Sequence, residues 1–128
     1  MKQLPHADLL FTYRNALLTE FPDQIEQLIL FGSYARGEAH EESDVDVMVI
    51  VAWEEELLEN GLYRHPALDP RWHKIIDLAA DLSFDCGVLL SPKVMSGKRF
   101  AGWSLLGNQV KEDGILIWKA TKISSFVS

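Results

Sequence analysis

The sequence predicts a single α/β (α+β) domain in which a small mixed sheet is flanked by helices. Segments with helical spacing of apolar residues alternate along the chain with short apolar runs of strand length. The 128 residues are 48% hydrophobic and 24% charged, which suits one folded domain spanning residues 1–128. We find no repeat, low-complexity tract or linker that would divide the chain.

The first helix and strand follow from spacing. Four apolar residues recur at helical intervals over residues 7–20, and Phe21 directly after them continues the spacing: Leu9, Leu10, Tyr13, Leu17 and Phe21. This helix should end before Pro22, because the residue ahead of a proline resists the α conformation. The apolar run Ile25–Phe31 then predicts a strand.

A short helix and a second strand are predicted next. Residues 33–36 are interpreted as a helix that Gly37 closes, and residues 38–43 as a loop. Residues 45–51 are largely apolar on both alternating faces, which is typical of a strand in a covered sheet. The acidic segment 53–60 is interpreted as a short helix ahead of Gly61.

The C-terminal half predicts two more helices and two more strands. Asp69-Pro70 is a good helix start, and apolar residues follow it at helical spacing up to Leu82. Residues 84–90 predict a strand that Ser91-Pro92 stops. A last helix is predicted from the spacing of Trp103, Leu106 and Val110, with Gly114 as its cap, and a last strand over residues 115–119.

Charge and composition exclude several classes of protein. Twelve Lys and Arg against 19 Asp and Glu give a net charge of −7, which disfavours a protein that coats duplex nucleic acid but permits one small phosphate ligand with its own metal. The single cysteine, Cys86, excludes a disulfide framework and is interpreted as a small buried hydrophobe on a core strand. No apolar run reaches the ~20 residues that span a bilayer, so we expect a soluble, cytoplasmic protein without membrane contact.

The residues that carry chemistry lie between 31 and 46. Gly32-Ser33 at a strand end opens a helix and turns backbone N–H groups toward an anion, although such a pair alone is usually an ordinary turn. Asp44 and Asp46 lie on one face of the strand, about 6.7 Å apart at Cα. Taken alone, the two aspartates indicate a solvated strand end. Because a phosphate-type turn precedes them, they instead indicate a site for Mg²⁺, which one or two carboxylates hold together with substrate phosphates.

This pattern resembles the signature of the minimal nucleotidyltransferases of the DNA polymerase β superfamily. Gly32-Ser33, Ala35-Arg36-Gly37 and Ser43-Asp44-Val45-Asp46 stand at the spacing Gly-Ser-x-Ala-Arg-Gly-x5-Ser-Asp-x-Asp. The motif covers residues 32–46, and the order of elements extends the resemblance over most of the chain. The resemblance implies a polymerase β-like nucleotidyltransferase fold.

The family uses a third carboxylate on a neighbouring strand. Its pattern is one Asp between apolar residues, which Asp85 matches between Phe84 and Cys86; Asp77 and Asp81 compete but fall in the helical stretch before it. The resemblance thus implies that Asp44, Asp46 and Asp85 are the catalytic residues and hold two Mg²⁺ ions, with Asp85 as the general base.

The resemblance also implies a substrate and a reaction. ATP or another nucleoside triphosphate would lie with its outer phosphates against Gly32 and Ser33, and a hydroxyl would attack its α-phosphate. For Arg36, a role beside the triphosphate and a pairing with Glu38 or solvent are equally open. Lys98 and Arg99 are interpreted as a solvated basic loop. Of the four tryptophans, some belong to the core, and one or two mark a partner surface.

Stand-alone members of the family often accompany a helical partner protein of the HEPN type and adenylylate it as antitoxins. The resemblance therefore implies a HEPN-type partner that supplies the acceptor hydroxyl. Two alternatives remain open: an antitoxin that binds nucleotide without catalysis and acts by occlusion, and a nucleotidyltransferase for small molecules such as aminoglycosides.

Overall fold

The structure, a computed structural model, describes residues 4–40 and 42–121, and a four-stranded mixed sheet forms its centre. The strand order is β3-β2-β1-β4; β1 is antiparallel to β2 and β4, and β2 is parallel to β3. The elements are α1 Ala7–Glu20, β1 Ile25–Phe31, α2 Gly32–Arg36, β2 Val45–Val51, α3 Pro70–Cys86, β3 Leu90–Ser96, α4 Gly97–Ala101, α5 Leu105–Asp113 and β4 Ile115–Lys119. The predicted fold class is confirmed.

Helices α1 and α3 cover one face of the sheet. Alternate β2 residues point to this side and are buried: Val45, Val47, Val49 and Val51. They pack with Leu10 and Leu17 of α1 and with Ile75 of α3. Tyr13 joins the two helices, because its buried hydroxyl donates a hydrogen bond of 2.9 Å to the Ile75 carbonyl.

The opposite face carries a smaller core under α4 and α5. Met48 and Ile50 of β2 pack there against Met95 of β3 and Val110 of α5. Asp46 belongs to this face, one alternation before Met48, at the end of β2 where the strand begins. The start of β2 thus carries an acidic side chain on the face of the smaller core.

The elements between residues 7 and 51 form as predicted. The helix over 7–20, both strands and the short helix after Gly32 all appear at the predicted positions. Gly37 ends α2 in the left-handed conformation, with φ +74°, and its N–H donates to the Tyr34 carbonyl. A glycine is favoured at such a helix end because it has no Cβ to strain.

The predicted strand over residues 84–90 is wrong. Helix α3 continues through this segment to Cys86 and ends at Gly87, which has φ +70° and donates its N–H to the Ser83 carbonyl. The strand begins only at Leu90 and runs through Pro92. Proline is tolerated there because β3 is an edge strand, whose outer side needs no N–H donor.

Three further predictions need correction. Residues 53–60 form no helix but an irregular segment with an isolated bridge between Leu57 and Tyr63. Trp103 precedes α5, which begins at Leu105 with Ser104 as its cap, and the Trp103 side chain is 78% exposed. Cys86 is exposed, because it ends a helix instead of lying on a core strand. None of the described helices could cross a membrane.

Candidate active site

Gly32 and Asp46 meet where β1 ends and β2 begins. The last residue of β1, Phe31, is paired with Asp46, so the chain turns into α2 directly beside this carboxylate. A Cβ on Gly32 would overlap with Asp46 Oδ2 and lie 3.1 Å from its Cγ. Gly32 also has φ +75°, a conformation that residues with a side chain rarely adopt. Glycine is therefore required here both for backbone conformation and for space.

A tight turn positions Asp44. The N–H of Ser43 donates to the His40 carbonyl, and the Ser43 hydroxyl accepts from the His40 N–H, both at 2.9 Å. The N–H of Val45 then donates to the Leu89 carbonyl at 2.8 Å, which fixes the start of β2. Asp44 is held between these anchors with its side chain exposed. This gives Ser43 of the motif a structural role that the sequence alone did not assign.

The Asp46 carboxyl is half-buried and its pKa is raised. Burial is the largest cause, since it disfavours the charged form, and the nearby charge of Asp44 adds to it. Lys93 and Arg36 act in the opposite direction and lower this pKa. Two carboxylates that repel each other at one strand end, one of them desolvated, are stabilised when a cation lies between them.

The donor set fits one Mg²⁺ ion. Asp44 and Asp46 provide two hard oxygen ligands on one strand, and Mg²⁺ commonly takes one or two carboxylates and completes its shell with water and phosphate oxygens. Over the described ranges, no group of three or more His, Cys, Asp or Glu side chains is assembled that could hold a metal. The predicted set of three carboxylates is therefore not brought together.

The placement of Asp85 is a correction. Asp85 lies in the last turn of α3, exposed, and not on the strand beside β2. Helix α3 packs through Ile75 and Ala79 against the sheet face that carries Val45. The Asp46 side chain belongs to the opposite face of the sheet, with Met48. The strand predicted for Phe84-Asp85-Cys86 was the reason for choosing Asp85, and without that strand the choice has no structural support.

Arg36 stands at the edge of the site. Its guanidinium forms an ion pair of 2.6 Å with Glu38, whose hydrogen bond is the main cause of its raised pKa. It also interacts electrostatically with Asp46 and with Asp113 at the end of α5. Both interpretations of Arg36 thus have support: it is paired with Glu38, and it lies within electrostatic range of the carboxylate at the site.

Sequence reasoning missed Lys93. In the parallel pairing of β2 and β3, Ser91 is opposite Asp46 and Lys93 is opposite Met48, so Lys93 lies on the face of the carboxylates. The signal was the alternation of residues 91, 93 and 95, which the prediction lost when it stopped a strand at Pro92. Lys98 and Arg99, by contrast, pair with Glu54 and Glu55 near the other end of the sheet.

The chain is similar to known proteins over most of its length. A family model described as nucleotidyltransferase domain matches residues 12–101. Two proteins of Methanocaldococcus jannaschii with the provisional name protein adenylyltransferase are similar: one is 31% identical over 80% of this chain and 88% of its own length, the other 34% identical over 66% and 74%.

Solved structures share the fold. A toxin–antitoxin structure with AMP-PNP superposes with a TM-score of 0.52 at 22% identity, covering 90% of this chain and 77% of that one. A structure from Sulfolobus solfataricus, provisionally named a nucleotidyltransferase, also gives 0.52, at 18% identity over 91% and 82%. Since the family model spans most of the chain and includes Gly32, Asp44 and Asp46, this chain belongs to the nucleotidyltransferase-domain family and is a nucleotidyltransferase with a polymerase β-like fold.

Proposed function

We propose that this nucleotidyltransferase moves AMP from ATP to a hydroxyl of a partner protein, in a reaction that depends on Mg²⁺. The close approach of Gly32 to the Asp46 carboxylate is the main support, because it puts the start of α2 beside a carboxylate pair. A triphosphate at this turn would have its outer phosphates near Gly32 and Ser33 and its metal-bound oxygens near Asp44 and Asp46.

The reaction needs positioning more than covalent chemistry by the protein. The acceptor oxygen forms a bond to the α-phosphorus, the bond to pyrophosphate breaks in line with it, and the hydroxyl proton passes to water. Bound Mg²⁺ supplies Lewis-acid neutralisation of the phosphate oxygens. Asp44 and Asp46 would hold and orient the metal, and the turn from His40 to Ser43 positions Asp44 for this role.

A protein acceptor has two kinds of support. Two similar archaeal proteins carry the provisional name protein adenylyltransferase, and a protein of the same fold was solved as part of a toxin–antitoxin pair. The described surface also exposes Trp103 and Leu105, by 78% and 71%. Exposed tryptophan is enriched at protein interfaces. A helical partner of the HEPN type, with this chain as its antitoxin, is the hypothesis that we carry forward.

The test is transfer of label from ATP to the product of a neighbouring gene that encodes a helical protein. With α-labelled ATP and Mg²⁺, the partner should become labelled; γ-labelled ATP should give no label, because pyrophosphate leaves. Asp44→Asn is the inactive control, and EDTA should stop the reaction. Labelling from the γ-phosphate would contradict AMP transfer.

The same assay separates the alternatives. A complex that forms and inhibits the partner without any labelling would favour an antitoxin that acts by occlusion. Labelling of an aminoglycoside, with none of the protein, would favour a small-molecule nucleotidyltransferase. Either result would overturn the proposal of a protein acceptor.

A further inference from the structure

The strands beside β2 offer no third carboxylate at the site. Strand β3 has neither Asp nor Glu between Leu90 and Ser96. On the other side, the one carboxylate of β1 is Glu26, next to Gln27, which pairs with Ile50 near the far end of β2. At the start of β2 the neighbouring strands thus contribute no further acidic side chain.

A lysine of β3 lies on the sheet face that carries Asp46. Lys93 is opposite Met48 in the parallel register, and Met95, two residues further, packs with Met48 and Ile50. Side chains two residues apart in a strand share a face, so Lys93 lies on the same face as Asp46. The positive charge of the ammonium also lowers the pKa of the Asp46 carboxyl.

We propose that this site holds one divalent ion, between Asp44 and Asp46, and that the Lys93 ammonium takes the place of a second ion by binding the phosphate that is transferred. This inference rests on the proposed function, because the phosphate belongs to the nucleotide. It replaces the expectation of two Mg²⁺ ions held by three carboxylates.

The local charges favour this arrangement. Asp44 and Asp46 contribute two negative charges, which one divalent ion neutralises. A second divalent ion would have to share Asp44 and Asp46 with the first and take its other ligands from the substrate and water, and the positive charge of Lys93 on the same face would repel it. A lysine ammonium, by contrast, binds phosphate directly as a compact point charge with three donors.

Lys93 is free to make that contact. Its side chain is exposed, and among residues 4–40 and 42–121 it has no ion pair. Lys98 of α4, by contrast, forms an ion pair of 3.8 Å with Glu54. A long flexible side chain without a protein partner, beside a carboxylate pair, is suited to an anionic substrate group.

The experiment counts ions without turnover. Mn²⁺ binding is measured by electron paramagnetic resonance at saturating α,β-methylene ATP, whose α–β linkage the transfer cannot break. We expect one protein-bound Mn²⁺ per wild-type chain and a second one in Lys93→Glu, which creates a third carboxylate. Two Mn²⁺ ions in the wild type would overturn the proposal.

The second measurement is the rate of transfer. Lys93→Ala should lower kcat by about 10²-fold, as for the loss of one group that stabilises the transition state, and Lys93→Arg should retain more activity. Lys98→Ala, which makes the same change of charge, should leave kcat unchanged. If Lys93 only protects an edge strand, Lys93→Ala would self-associate with an unchanged kcat, and the proposal would be wrong.

The two proposals fail in different ways. A wild-type chain that binds one Mn²⁺ with the nucleotide analogue but labels no protein supports the ion count and contradicts the proposed acceptor. A wild-type chain that labels its partner but binds two Mn²⁺ ions supports the function and contradicts the role of Lys93. Absence of any Mn²⁺ binding with the analogue overturns both.

Discussion

Substitution of Gly32 by alanine adds one methyl group, which should have two separate effects. The first is backbone strain: φ at Gly32 is +75°, and a residue with a Cβ in the left-handed region costs about 1–2 kcal/mol. The second is overlap with the Asp46 carboxylate, because the new Cβ would occupy the space of Oδ2. Asp46 would have to move away from the position that it shares with Asp44.

We expect Gly32→Ala to lower both stability and nucleotide affinity. The strain should reduce the free energy of unfolding by about 1–2 kcal/mol, measured by urea denaturation. The displaced carboxylate should weaken binding of Mg·ATP at least about tenfold, or about 1.4 kcal/mol, measured by calorimetry.

Gly87→Ala is the matched control. Gly87 ends α3 with φ +70°, close to the value at Gly32, but no described atom lies within 4 Å of the Cβ that alanine would add. This variant should lose similar stability and keep the Mg·ATP affinity of the wild type. Equal affinities in Gly32→Ala and Gly87→Ala would refute the view that Gly32 is needed beside Asp46.

Three other predictions concern single polar groups. In Asp46→Asn, metal-dependent ATP binding should be lost in calorimetry, whereas the metal-free protein should melt at a higher temperature than the wild type at neutral pH. The sign follows from the pKa of Asp46, which is 3.8 for the unperturbed group and higher in the folded state. The folded protein loses stability as the pH rises from 3.8 through the folded-state pKa, because the carboxyl ionises less readily when folded. At neutral pH the ionised carboxylate therefore destabilises the metal-free fold, and an asparagine removes that cost. Asp85→Asn should transfer label at a rate close to wild type, because its carboxylate is exposed at the end of α3; an inactive variant would restore Asp85 to the site. Tyr13→Phe should lower the free energy of unfolding by about 1 kcal/mol in urea, because it removes the buried bond to the Ile75 carbonyl, and an unchanged midpoint would count against that contribution.

Local signals were sufficient for the part of the chain that carries the motif. Gly32, Gly37, Asp44 and Asp46 are all constrained by their immediate neighbours: a strand end, a short helix and a strand start follow one another within residues 31–46. Gly37 ends a helix for a local reason, its left-handed φ. For this segment, sequence spacing and the structure agree because few distant contacts are needed to define it.

The structure of the segment after residue 82 is determined by contacts that a local sequence pattern does not reveal. Phe84-Asp85-Cys86 has a local pattern compatible with a strand, but two hydrogen bonds of the Ser83 hydroxyl favour the helix. The Ser83 hydroxyl donates to the Ala79 carbonyl at 2.7 Å and accepts from the Leu90 N–H at 2.8 Å, so it connects the last turns of α3 to the start of β3. Gly87 could have been recognised as the left-handed end of a helix, a role that glycine fills far more often than the interior of a strand.

The error at Pro92 had the larger consequence for the site. A proline ends a central strand because it removes a ladder donor, but it is allowed on an edge strand, and no local pattern distinguishes the two. Once β3 is known to be the edge of the sheet, residues 90–96 form one strand and Lys93 falls on the face of Asp46. Which side chain of the neighbouring strand shares the face of Asp46 therefore depends on sheet order, a non-local property, and the local pattern around Asp85 carries no information about it.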